Sequence, residues 1–169
     1  MAETKPDAIA LLKKDHDEVQ ELFEQFNKAS GEGRKEKLAR KICRELTIHA
    51  MIEEEIFYPA CQSAVEDSLY HEAFVEHDGA KVLINDIMAN GPDDEFFEAK
   101  VTVLCEEISH HVKEEERPKE GFFAQARQGD VDLVRLRDQL MERKQELLQK
   151  EKNGGLPAAK LAAVHLEPA

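Results

Sequence analysis

Tryptophan is absent from the 169 residues, and aromatic side chains of all kinds make up only 6% of them. Strands draw on aromatic and β-branched residues to cover a pleated surface, so this scarcity disfavours a β-sandwich and points to helices. No run of about 18 apolar residues occurs, which excludes a membrane-spanning helix. Positive charge is also short: 23 Lys and Arg stand against 36 Asp and Glu, for a formal net charge of -13. A surface this acidic repels phosphate backbones, so no nucleic-acid partner is expected. Cysteine is sparse too. Cys43, Cys61 and Cys105 are far apart and form no CxxC pair, and they read as reduced thiols of a cytoplasmic protein. The polar stretch Met1 to Asp7 lacks the apolar core of a secretory signal.

What the chain does have is helical periodicity. Pro6-Asp7 suits a helix start, and Ile9, Leu12, His16, Val19, Phe23 and Phe26 recur at spacings of three and four until Ser30-Gly31-Glu32-Gly33 breaks the pattern. A second stripe carries Leu38, Ile42, Leu46, His49, Glu53 and Ile56, and Pro59 is expected to end or kink that helix. A third holds Tyr70, Phe74, His77, Ala80, Ile84 and Ile87 and stops at Asn90-Gly91-Pro92. A fourth holds Val101, Leu104, Ile108, His111 and Glu115 and is closed by Pro118 and Gly121. Leu133, Leu136, Leu140 and Leu147 mark a fifth helix, whose stripe Lys144 interrupts. The fold expected is all-α: an antiparallel up-down-up-down four-helix bundle over residues 1–127, an accessory C-terminal helix over 128–152 on its outside, and a flexible tail over 153–169.

The chemistry appears as an anomaly in these stripes. His16, His49, His77 and His111 each occupy an apolar stripe, one per helix, and Glu53 and Glu115 do the same. A buried ionised carboxylate is costly unless it is paired or metal-bound. His49 and Glu53 are four apart, as are His111 and Glu115, so each pair shares a helix face. A lone histidine precedes each pair, His16 by 33 residues and His77 by 34, so one helical hairpin occurs twice. Two such hairpins facing each other bring four imidazoles and two carboxylates to the bundle axis. That donor set suits two metal ions, each held by two histidines and bridged by both glutamates, and imidazole with carboxylate suits iron, manganese or zinc. His110 with Glu114 is the competing pair, and the stripe through Leu104 and Ile108 favours His111.

The segments His49-Ala-Met-Ile-Glu53-Glu-Glu-Ile-Phe-Tyr-Pro59 and His111-Val-Lys-Glu-Glu115-Glu, with Val75-Glu-His77 and Lys14-Asp-His16, resemble the hemerythrin family in its HHE cation-binding branch over residues 7 to 127. The resemblance implies a four-helix bundle with two non-haem iron ions, carboxylate-bridged with an oxo or hydroxo bridge, that binds or reacts with dioxygen, nitric oxide or peroxide in sensing or detoxification. Peroxide decomposition or another di-iron oxidoreductase activity is the enzymatic form of that reading. Two departures stand out. The oxygen carriers of the family have HxxxH on the third helix, whereas here Ala73 lies four before His77, which leaves a position open or filled by water or by an acid such as Glu76. Arg117 to Phe123 also replaces the family's usual ending of the fourth helix, near the access route.

Two other functions compete: iron storage or iron sensing, and a metal-free helical bundle acting as an interaction module. A ferritin-like bundle would instead show Glu-x-x-His pairs and lone glutamates. No DNA-binding, kinase or membrane-receptor segment is appended, so signalling would need a separate partner, and the extra helix leaves a homodimer open. Glu54, Glu55, Glu114 and Glu116 read as solvated, Tyr58 as packing ahead of proton donation, and Cys43 and Cys105 as packing residues.

Overall fold

The computed structural model describes residues 6–166 and is all-helical, with no strand among them. Met1 to Lys5 of the polar N-terminus and the last three residues of the expected tail lie outside the described residues. The elements run α1 (Ala8–Lys28), α2 (Glu32–Ile52), a π-helical turn (Glu53–Phe57), α3 (Tyr58–Cys61), α4 (Asp67–Asn90), α5 (Phe97–Glu116), α6 (Phe122–Gln128) and α7 (Leu133–Lys152). Helices α1, α2, α4 and α5 pack in a ring, each against the next, with α5 returning to α1. None is long and apolar enough to cross a membrane.

Each boundary has a local cause. The Asp7 side chain accepts from Ala10 N and caps α1. Gly31 (φ 89°) and Gly91 (φ 65°) make turns that L side chains rarely adopt. Pro59 does not end the helical run, which passes through it to Cys61. It lacks the N–H that would reach back four residues, and the chain absorbs the defect by inserting a π-turn, in which Tyr58 N–H donates to Glu53 O five residues back. The helix then continues to Cys61. In an α-helix, residues five apart point roughly 140° away from each other; the wider turn brings Tyr58 round toward the face of Glu53.

The core has two parts, with the metal-ligating types between them. One, rich in Ile9, Leu12, Phe57, Tyr58, Phe122 and Leu140, fills the end capped by α6 and α7; the other, with Phe23, Ile42, Leu46, Ile84 and Leu104, fills the opposite end. Short α6 was not expected from the sequence. Its Phe122 and Phe123 are buried, and Gly121 lets it turn in: a Cβ there would meet Arg117 O at 2.6 Å. Helix α7 packs on α1 and α2 through fully buried Leu140 and Leu147. Burial pushes the Cys43 and Cys61 thiols up to about 12, as befits packing residues that stay protonated.

The flexible tail expected after residue 152 is corrected for residues 156–164, which lie docked on the bundle. Ala162, Ala163 and Val164 backbone N–H groups donate to the Asp78 carboxylate at 2.7–2.8 Å, and Asn85 exchanges hydrogen bonds with Ala159. A carboxylate on α4, itself fully buried, finds its partners in the chain terminus. Nothing in the periodicity of residues 153–166 announces that.

Candidate metal centre

The second hairpin shows how register is achieved. His77 lies 13 residues before the end of α4, and α5 begins only at Phe97, 14 residues before His111. The 3₁₀ turn Gly91–Asp93 and the residues after it lengthen the connection so that the two histidines come level. Their Nε2 atoms are 3.1 Å apart. In the first hairpin His16 Nε2 and His49 Nε2 are also 3.1 Å apart.

All six residues singled out by pattern come together. His49 Nε2 lies 2.9 Å and His77 Nε2 3.3 Å from Glu53 Oε1. His16 Nε2 lies 3.2 Å from Glu115 Oε2, and His111 Nε2 3.2 Å from Glu115 Oε1. Each glutamate therefore touches a histidine of both hairpins. Two groups of four donor atoms result, His16-His49-Glu53-Glu115 and Glu53-His77-His111-Glu115, with both carboxylates common to the two. His111 is the inward residue of its pair; the side chain of His110 is 69% exposed.

The outer nitrogens complete a ring that pattern-reading missed. His49 Nδ1 donates to Asp15 (3.0 Å), His77 Nδ1 to Glu54 (2.8 Å), His111 Nδ1 to Glu76 (3.3 Å) and His16 Nδ1 to Glu116 (3.1 Å). Each acid is the chain neighbour of an inward residue and pairs with the histidine of the next helix around the bundle. Glu54 and Glu116 are thus not the solvated residues their charge suggests. Glu76 stands behind His111 and does not take the place opposite Ala73. Carboxylates only accept, so each Nδ1 carries the proton and each Nε2 faces inward. Outer carboxylates of this kind fix the tautomer and orientation of metal-ligating histidines.

Tyr58, which the sequence ranked as packing, also reaches the cluster. Its buried hydroxyl donates to Glu115 Oε1 at 2.5 Å and lies 3.2 Å from His77 Nε2 and 3.3 Å from His111 Nε2. It occupies the half of the centre whose third helix offers Ala73 in place of a histidine. The one signal for it was Pro59, whose missing N–H interrupts regular α-helical spacing at this point.

Do these residues fit metal ions? Both carboxylate oxygens of Glu53 and Oε2 of Glu115 are buried and accept no hydrogen bond among the described residues. Imidazole nitrogens approach them without lining up to donate. Unpartnered buried carboxylate oxygens are costly, and cations placed among them and the four Nε2 atoms would satisfy all of them.

Electrostatics agree. Burial alone would lower the His49 pKa, but the Glu53 and Asp15 carboxylates outweigh it and raise it to about 10. Glu115 acts the same way on His111, and Glu115 with Glu116 on His16. Burial opposes ionisation of Glu115, yet His111 and His16 hold it well below the usual carboxylate range. Without metal the cluster is held by imidazolium–carboxylate pairs. Burial and the nearby Glu115 and Glu53 push the Tyr58 phenol well up, so it is neutral in that state.

The surroundings are largely apolar. Phe123 stacks on His16 with centroids 5.8 Å apart, and Phe122 lies 4.7 Å from Tyr58, so α6 seals one end. On another side a cavity of about 30 Å³ touches the histidines and is walled by Val19, Leu46, Ala80, Ile84 and Ile108. That is the space of a single water or diatomic molecule.

Residues 7–118 match the family model described as Hemerythrin HHE cation binding domain. A DNA nickase of Nostoc sp. is 28% identical over 106 residues, which cover 63% of this chain and 30% of that protein. The chain thus matches under a third of the nickase's length. A solved structure of a hemerythrin HHE cation binding domain-containing protein from Mycobacterium kansasii superposes with a TM-score of 0.73 at 22% identity, over 90% of this chain and 96% of that one. At that identity the superposition speaks for the fold.

Proposed function

The chain belongs to the hemerythrin HHE cation-binding family, whose model spans about two-thirds of it, and on that premise we propose that it is a non-haem di-iron protein that reacts with dioxygen, nitric oxide or peroxide. His16 and His49 would hold one ion, His77 and His111 the other, and Glu53 and Glu115 would bridge them. When bound, the iron pair supplies the electrons and open positions for small oxidants; the protein supplies geometry and a water-poor site. The observation that carries the reading is the ring of four Nδ1-to-carboxylate bonds. It turns the four Nε2 atoms toward Glu53 and Glu115, three of whose four carboxylate oxygens accept no hydrogen bond among the described residues.

Tyr58 gives the two halves different chemistry. Its hydroxyl would ligate an ion held by His77 and His111 and otherwise holds a proton beside Glu115. A nearby cation reverses the upward push on its pKa. The apolar cavity beside the histidines suits an uncharged small ligand. A net charge of -13 disfavours a nucleic-acid substrate, so the activity named for the Nostoc relative is not carried over.

The test is reaction of anaerobically ferrous-loaded protein with peroxide, dioxygen and nitric oxide, followed by visible absorption and by peroxide consumption. The expected result is a change in absorption with at least one of the three, and peroxide loss faster than with an equal amount of free iron. No spectral change with any of them would overturn the reading. Tyr58→Phe is expected to alter the absorption bands without emptying the site.

A further inference from the structure

The C-terminal segment reaches the centre at two points. Lys144, which interrupts the apolar stripe of α7, donates to Asp15 Oδ1 at 2.6 Å, and the other oxygen of Asp15 accepts from His49 Nδ1. Lys81 on α4 is buried and has three hydrogen-bond acceptors for its three N–H groups: Glu54 Oε1 at 2.8 Å, Lys160 O at 2.9 Å and Asp78 Oδ1 at 3.4 Å. Glu54 Oε2 accepts from His77 Nδ1, and Asp78 is the carboxylate cradled by the tail amides. One histidine in each half is therefore backed by a carboxylate that a lysine fixes, and each lysine depends on the segment after residue 132. Among the described residues, no lysine or arginine pairs with Glu116 or Glu76, the acids behind His16 and His111.

Resting on the metal-centre reading above, we propose that α7 and the docked tail are a working part of the centre: Lys144 and Lys81 are positioning residues that fix Asp15 and Glu54 and through them aim His49 and His77. A carboxylate with one oxygen tied to an ammonium has one orientation left for the imidazole, and an imidazole that cannot swing loses less entropy on binding metal. Thermodynamic linkage makes the effect mutual. If tail docking strengthens metal binding, metal binding strengthens tail docking by the same factor.

The test uses the full chain and zinc as the probe, with affinity read by chelator competition. Lys144→Met and Lys81→Met keep the aliphatic stems and remove the ammonium groups. Arg143→Met removes a surface pair of α7 with Glu55 and controls for helix docking alone. Each lysine-to-methionine change is expected to weaken zinc binding by about tenfold, Lys144→Arg to restore it to within about twofold, and Arg143→Met to leave it within about twofold of the parent. Parent-like affinity in both methionine variants overturns the proposal. So does an equal loss in Lys144→Met and Lys144→Arg, which would mark packing and not charge. Amide exchange on the unaltered chain is an independent readout that needs no variant to fold: the Ala162, Ala163 and Val164 amides are expected to exchange several-fold more slowly with zinc than without. Unchanged exchange there overturns the proposal. A parent chain that binds no zinc overturns the metal-centre reading itself, whereas a parent that binds while the variants match it overturns this inference alone.

Discussion

Replacing Glu115 with glutamine is expected to empty both halves of the centre, although the side chain keeps its size. Glu115 places one oxygen 3.2 Å from His16 Nε2 and the other 3.2 Å from His111 Nε2, so it serves both four-donor groups. Glutamine offers one neutral oxygen and turns an NH₂ toward one of the two ions. A structural metal site of four ligands carries roughly 10–16 kcal/mol, or about 2.5–4 kcal/mol per ligand. Losing a shared ligand should therefore weaken each site by roughly 10²–10³-fold. Metal per chain after desalting, measured beside helicity by circular dichroism, reads the result. Glu114→Gln is the control, since Glu114 would be the ligand if exposed His110 were the inward histidine. Its metal content should stay at the parent level. A Glu115→Gln chain that keeps its full metal would show that the bridge is not there.

How that residue was visible in sequence, and others were not, has a physical cause. Glu115 and Glu53 were legible because an acid on an apolar stripe contradicts the pattern around it. The four histidines were legible because each repeats that contradiction once per helix at matched spacing. The fold followed from the same stripes, including the α7 leucines. Asp15, Glu54, Glu76 and Glu116 contradict nothing: each sits one residue from an inward ligand, about 100° around the helix, in a chain where 35% of residues are charged. Their role exists only between helices. The usable signal was adjacency, an acid immediately beside an inward residue on every bundle helix. Tyr58 was hidden by assuming α-helical spacing across Pro59. The tail could not be read because its bonds come from backbone N–H groups meeting Asp78, and backbone donors leave no trace in composition.

Stripping metal from the loaded chain is expected to lower its melting temperature by ten degrees or more, by an amount that grows with pH. A site with free metal at 1,000 times its Kd gains about 4 kcal/mol. In a chain of this size each kcal/mol moves Tm by roughly 2–4 °C. The pH dependence follows from His49. Its pKa in the metal-free fold is raised from 6.5 to about 10 by Glu53 and Asp15. The stability that this confers is fully present below 6.5 and is lost as pH rises toward 10. His16 and His111 shift in the same direction. Glu53 and Glu115 are shifted down, so their contribution is lost only in acid, below the usual glutamate range, and is constant here. Metal must displace the imidazole protons, so its affinity rises over the same window, about tenfold per pH unit for each proton released. Thermal melts at pH 6.5 and pH 9, with and without chelator, should show the metal-free chain losing stability and the gap to the loaded chain widening. A gap that is absent, or that narrows toward pH 9, would mean that the histidines do not face metal.

Six buried side chains are expected to hold two ions, and metal analysis is the most direct check. The chain is purified without a histidine tag or added metal, and iron, zinc and manganese are counted per chain alongside the visible spectrum in air. Two metal ions per chain are expected, one for each four-donor group, with iron giving charge-transfer absorption. Two colourless zinc ions would keep the geometry and remove the redox function. No metal, even after anaerobic ferrous loading, would leave His16, His49, His77 and His111 as purely structural partners of Glu53 and Glu115 and would contradict the di-metal reading.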